Sequence, residues 1–262
     1  MKPQSLLNLA LILMMFTSCS KQSETSAQAN MLGNELKSAS LVQVLNEGEA
    51  PATQGVIQNC IDVCVSSLPN EPLSQAEIDA ITFVREEELL AYDVYNALYQ
   101  RWRIPVFRNI AKSEDIHTYA VKALIAKYNL PDPGAGHQAG VFVNTQIQQL
   151  FDQLSVLGIS SLNSAMIVGA TIEDMDIADL RQHLLNDLDN QDALFVFNQL
   201  YQGSRNHLRA FAAQLRFRNI TYSPQYISQE LYDQITNSNW EVGNGFCLCQ
   251  TATGSVNDRS SN

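Results

Sequence analysis

Apolar residues return every three or four positions along four long stretches of the chain. Each stripe is broken near its middle by a residue that does not belong in a core. The first stripe reads Ile81, Val84, Glu88, Ala91, Tyr95, Leu98, and the second Ile110, Glu114, His117, Val121, Leu124, Tyr128. The third reads Met166, Gly169, Glu173, Ile177, Leu180, Leu184, and the fourth Phe197, Leu200, Ser204, His207, Phe211. This period predicts amphipathic helices over 75–101, 105–128, 162–185 and 192–217. Ser74 with Glu77 forms a capping box ahead of the first, and Pro105 suits the first position of the second. No alternating pattern competes for these stretches, so the fold class is all-α.

The connections set the order of packing. The first and second helices are joined at 102–104, and the third and fourth by a polar turn at 186–190, so each pair folds back as a hairpin. Between them Pro131, Pro133, Gly134, Gly136 and Gly140 forbid a long helix, and a short one is expected over 146–157. A connection of roughly 30 residues runs the length of a bundle as a crossover, which predicts a four-helix bundle with its long connection between the second and third helices. A last short helix is expected over 228–236. The segment 41–68 contains Val, Ile and Leu but shows no clean period.

The interrupting residues are the candidate chemistry. Glu114 and His117 lie three apart and share one helical face, so both can reach one ion. A carboxylate in a core must be paired, protonated or bound to metal. Residues equidistant from a hairpin turn lie at one depth. Glu88 and Glu114 are centred on Arg101, and Glu173 and His207 on Asn190. Each hairpin therefore brings its inward polar residues to a common level within about one turn, ~5 Å. The set Glu88, Glu114, His117, Glu173 and His207 suits one or two ions of iron or manganese. Asp176 lies one turn beyond Glu173, on a flank that also carries Asp179 and His183, and is expected at the edge of the site. Gly203-Ser204 in a helix interior suggests that something needs the space. Arg205, His137 and His183 are expected at the surface.

The chain has 262 residues and a net charge of −11. That acidity argues against nucleic acid as a partner, since phosphate neutralisation needs a basic face. Lys2 followed by the apolar run 6–16 reads as a targeting segment, too short to span a bilayer. Phe16-Thr17-Ser18-Cys19 at its end resembles the bacterial lipoprotein signal, with Cys19 the lipidated residue; the alternative is an ordinary secretory signal. The expected division is a signal peptide over 1–18, a tether and extension over 19–73, the bundle over 74–237 and a tail over 238–262. The chain is thus expected to be exported, in the cell envelope, and held to a membrane by a lipid. Cys60 and Cys64, and Cys247 and Cys249 in the tail, are disulfide candidates within or between the pairs; a four-thiolate zinc or iron site is the rival reading.

These residues resemble the ferritin-like superfamily, whose di-iron pattern is Glu, Glu-x-x-His, Glu, Glu-x-x-His on four helices. More closely, the chain is similar to an uncharacterised prokaryotic branch named domain of unknown function 2202. The likeness rests on Arg85-Glu86-Glu87-Glu88, on Asn109 to Glu114 with His117, on Val168 to Ile177, and on Gly203-Ser204-Arg205-Asn206-His207-Leu208-Arg209-Ala210-Phe211. It covers 74–235. The spacing of Glu88 and Tyr95 is similar to that in rubrerythrin-type proteins. One departure stands out: Ser204 occupies the superfamily's fourth carboxylate position, where Asp176 or Glu87 can substitute, or the site holds one metal. The resemblance implies a di-metal oxidoreductase acting on ferrous iron, peroxide or dioxygen, with a homodimer as a compatible assembly. The alternative is a helical envelope lipoprotein with a buried polar network and no metal.

Overall fold

The computed structural model describes residues 51–242 and Phe246. The chain divides into two units, Met1–Gln54 and Gly55–Asn262. Of the first, only the opening turn of a helix is described. Cys19, Cys247 and Cys249 lie outside the described residues, as do the targeting segment and most of the tether.

The described residues are all-helical. In chain order the elements are α1 (Pro51–Ser67), α2 (Gln75–Trp102), α3 (Pro105–Lys127), α4 (Thr145–Ser160), α5 (Leu162–Asn186), α6 (Gln191–Phe217) and α7 (Gln229–Asn237). None of them is long and apolar enough to cross a membrane.

Local chemistry fixes the boundaries. Ser74 and Glu77 form the expected capping box at the start of α2. Glu77 also accepts from the backbone N–H groups of Asp189 and Asn190, at 3.2 and 3.0 Å, which ties that end of α2 to the α5–α6 turn. Arg103 ends α2 in the left-handed conformation (φ 57°), and Pro105 opens α3 directly after it. Asn144, Ser161 and Ser228 cap α4, α5 and α7 through their side chains.

The two hairpins pack as α2 on α3 and α5 on α6, and they meet through α2 against α5 and α3 against α6. The buried side chains of the four long helices fall into levels on either side of the polar residues. One level is aliphatic, with Ile81, Val84, Val121, Leu124, Leu180 and Leu200. The level beyond the polar residues is aromatic: Phe211 sits 5.4 Å from Tyr95 and 5.9 Å from Phe107, ring centre to ring centre. Burying each such side chain stabilises the fold by about 1.5–3 kcal/mol. Between these two dry levels lie the residues that interrupted the stripes.

The crossover is fastened to α2 by charge. Arg85 donates to Asp132 at 2.9 Å and to the Thr118 carbonyl at 3.1 Å. Glu86 accepts from the N–H groups of Val143 and Asn144, and Asp93 from Gly140 N–H at 2.7 Å and from His137 Nε2 at 2.8 Å. His137 is therefore half-buried and paired rather than free on the surface. His183 likewise pairs with Asp187 at 2.7 Å.

Helix α1 occupies the segment that lacked a period. It buries Cys60, Ile61, Cys64 and Val65 while leaving Val56 and Val63 exposed, a narrow stripe on one half of the helix. Cys60 and Cys64 are disulfide-bonded. Phe246 packs into the same aliphatic level, its carbonyl oxygen 3.1 Å from Cys64 Sγ.

Candidate metal centre

Glu88 from α2, Glu114 and His117 from α3, Glu173 from α5 and His207 from α6 converge at one depth, each at least nine-tenths buried. They form two triads, Glu88–Glu114–His117 and Glu114–Glu173–His207, and the ligand-type atoms within each triad lie within 4.8 Å of one another. Glu114 belongs to both. Its Oε2 lies 2.8 Å from His117 Nδ1 and its Oε1 2.9 Å from His207 Nδ1. The outer carboxylates complete the pattern, with Glu88 Oε2 at 3.2 Å from His117 Nδ1 and Glu173 Oε2 at 3.4 Å from His207 Nδ1. The two imidazoles stack with their centres 5.4 Å apart.

The backbone on the far side of His117 explains the small residue on α6. A Cβ on Gly203 would stand 2.5 Å from His117 Nε2 and 2.6 Å from its Cε1. Gly203 therefore lets the imidazole lean against α6 while Nδ1 faces the carboxylates. Gly169 does the same for Phe211, whose ring edge would meet a Cβ at 2.2 Å. The Tyr95 hydroxyl, buried beneath, is hydrogen-bonded to Glu173 and lies 3.2 Å from the Gly169 carbonyl.

The charges are strongly coupled. Burial raises Glu88 to about 7 against the pull of His117. Burial also acts to raise Glu114, but His207 and His117 overcome it and hold that carboxyl below its usual range. Burial would lower both histidines; instead Glu114 and Glu88 hold His117 well above its ordinary value, and Glu114 with Glu173 lifts His207 to about 10. Burial lifts the Tyr95 phenol, and Glu173 adds to it, so the hydroxyl keeps its proton.

The hydrogen bonding inside the triads is incomplete. Glu88 Oε1 has no donor, and His207 Nδ1 approaches Glu114 closely without the alignment of a hydrogen bond. A buried carboxylate and imidazole set with such orphaned atoms could hold a metal ion.

Ser204 stands beside the second triad but carries no charge. Its hydroxyl is hydrogen-bonded to Asp176 Oδ2 and also lies 3.0 Å from the Leu200 carbonyl. Asp176, expected at an edge, is 6% exposed. On another side of α5, Asp174 accepts from Tyr222 O–H at 2.8 Å and from Ile227 N–H at 2.9 Å, folding residues 222–227 over the helix. Asp176 lies outside both triads. Arg205, expected in solvent, donates to Glu241 at 2.7 Å, and Arg209 reaches the same carboxylate at 2.9 Å.

Residues 77–239 match the family described as an uncharacterized protein domain, DUF2202. The chain belongs to that family. It is 48% identical over 179 residues to the uncharacterized protein MJ0754 of Methanocaldococcus jannaschii, covering 68% of this chain and 96% of that protein. The crystal structure of the hypothetical protein MJ0754 is similar, with a TM-score of 0.65 and 47% identity, over 66% of this chain and 99% of the other.

Proposed function

We propose that this protein is a ferritin-like four-helix bundle that binds two ions of iron or manganese and oxidises ferrous iron or reduces peroxide or dioxygen. The observation that carries the reading is the pair of buried triads joined by the two oxygens of Glu114. A structural polar network needs no such sharing, whereas a carboxylate with one oxygen towards each of two imidazoles is placed to serve two ions held side by side.

Glu88 and His117 would hold one ion, Glu173 and His207 the other, and Glu114 both. Bound iron or manganese supplies one-electron chemistry towards a small oxidant. The chain's own residues prepare for it in three ways. His117 and His207 must each give up the Nδ1 proton that Glu114 stabilises in the metal-free state, so binding releases protons. Tyr95 holds Glu173 from below and fixes its orientation. The aliphatic and aromatic levels on either side keep bulk water from the carboxylates. Export and lipid attachment through Cys19 belong to the same proposal and rest on the N-terminal sequence alone.

The test is metal analysis of anaerobically purified, reconstituted protein, with an optical spectrum before and after peroxide. About two ions per chain and a peroxide-dependent spectral change are expected. Absence of stoichiometric metal in the wild-type protein, or full metal content in Glu114→Ala, would sink the reading.

A further inference from the structure

The residues next to Glu173 and His207 are both held by one C-terminal segment. Asp174 follows Glu173 on α5, and a step of one residue turns it about 100° away. Its carboxylate accepts from the Tyr222 hydroxyl at 2.8 Å and from the backbone N–H groups of Gln225, Tyr226 and Ile227. Asn206 precedes His207 on α6. Its side chain grips the backbone of Glu241 twice, donating to the carbonyl and accepting from the N–H, each at 3.0 Å. Arg205 and Arg209 close on the Glu241 carboxylate. Arg209 also donates to the Ile235 carbonyl at 3.0 Å and to the Ser238 hydroxyl at 2.9 Å.

Between these anchors the segment is stiffened by α7, a helix of nine residues and therefore about 13 Å long, which packs on α6. The Tyr222 ring centre lies 5.6 Å from that of Tyr232, which joins the α5 anchor to α7. In the interior the Ser204 hydroxyl meets Asp176, so α5 and α6 are tied from inside as well as through the segment. The first triad is held in another way. Arg85 of α2 donates directly to the carbonyl of Thr118, the residue after His117, at 3.1 Å.

We propose that residues 222–241 are a positioning brace for the second triad, with Asp174 and Glu241 as its anchors. The brace sets the separation of Glu173 and His207, and so the affinity for the ion that these two share with Glu114. This role rests on the two-ion centre proposed above, and it makes the two ions unequal. Groups that orient a ligand from behind govern affinity although they never touch the metal. Orientation matters at this triad in particular. His207 Nδ1 stands 2.9 Å from Glu114 and 3.4 Å from Glu173 without the alignment of a hydrogen bond, so the carboxylates leave the direction of the ring to the helix that carries it. Arg205 presents Nε and a terminal nitrogen to the two oxygens of Glu241, a two-pronged contact that resists rotation of α6. Glu241 is thus a positioning residue, acting through Asn206 and the two arginines on His207.

Full-length protein stripped of metal is titrated with Mn²⁺, and crystals soaked at the same concentrations locate the ions by anomalous scattering. In Glu241→Ala one ion is expected at the wild-type affinity and the other about tenfold weaker, with the weakened peak lying between Glu173 and His207. Lys127→Met, destabilised from the other end of the bundle, should keep both affinities, which separates positioning from a general loss of stability. Unchanged affinity for both ions in Glu241→Ala, or an equal loss at both, overturns the brace and leaves the two-ion centre standing. A wild type that binds no manganese refutes the centre itself and the brace with it. Should Glu241→Ala fail to fold, Tyr222→Phe probes the α5 anchor: the same ion is expected to weaken, and unchanged binding overturns the proposal.

Discussion

Replacing Gly203 by Ala sets two effects of opposite sign against each other. At an unobstructed position inside a helix, Gly→Ala stabilises by about 0.8–1 kcal/mol. At Gly203 the new methyl would stand 2.5 Å from His117 Nε2, where an ordinary contact needs about 3.5–4 Å. The ring must retreat by about 1 Å, and it has nowhere to go: its other edge already lies 2.8 and 3.2 Å from Glu114 and Glu88. Overpacking of this kind costs about 1–3 kcal/mol, so the net effect is a loss of up to ~2 kcal/mol where propensity alone promises a gain. Thermal melts of metal-free protein should show Tm lowered by up to several degrees, since 1 kcal/mol corresponds to about 2–4 °C at this size. Manganese affinity should fall about 10- to 100-fold, as when other groups that orient ligands are lost. Gly55 supplies the control: it is exposed in α1, nothing lies within 4 Å of where a Cβ would stand, and Ala there should raise Tm. A Gly203→Ala protein with raised Tm and unchanged affinity would refute the packing argument.

Other outcomes follow from the same structure. Metal-free protein should lose stability between pH 5 and pH 9, because the raised values of His207 and Glu88 mean that the fold binds protons the unfolded chain releases; the Glu88 contribution fades from pH 4.5 to about 7 and that of His207 from 6.5 to about 10. Melts across that range test this, and a rising Tm would contradict it. Stabilisation by added Mn²⁺ should grow with pH over the same range, since the ion displaces those protons, which calorimetry in buffers of different ionisation enthalpy can count. Lys127→Met should be among the most damaging changes away from the site: Lys127 donates to the carbonyls of Val65, Leu68 and Pro69 and pairs with Asp192, which is fully buried. A cost of about 3–5 kcal/mol is expected in urea unfolding, with metal binding unaltered in protein that remains folded.

The four long helices and the five triad residues were legible because each polar residue interrupts an otherwise apolar stripe, a signal carried within its own helix. Glu88, Glu114 and Glu173 could thus be placed without knowing their neighbours, and the hairpin turns then aligned their depths. What was not legible depended on cover arriving from elsewhere. Asp176 sits on a flank that periodicity assigns to the surface, yet it is 6% exposed and its carboxylate meets the Ser204 hydroxyl of α6. Arg205 found its partner in Glu241, 36 residues away. Helix α1 escaped because it buries only one narrow stripe and exposes Val56 and Val63.

The run Arg85-Glu86-Glu87-Glu88 has a mechanical consequence. These four consecutive residues point about 100° apart around α2, and all are at most 5% exposed. Arg85 and Glu86 grip opposite ends of the crossover, Glu87 is buried, and Glu88 belongs to one of the triads. A twist of α2 about its own axis by a single residue would break attachments on every side at once. That helix is accordingly the fixed post of the molecule, and the other long helices are held in register against it.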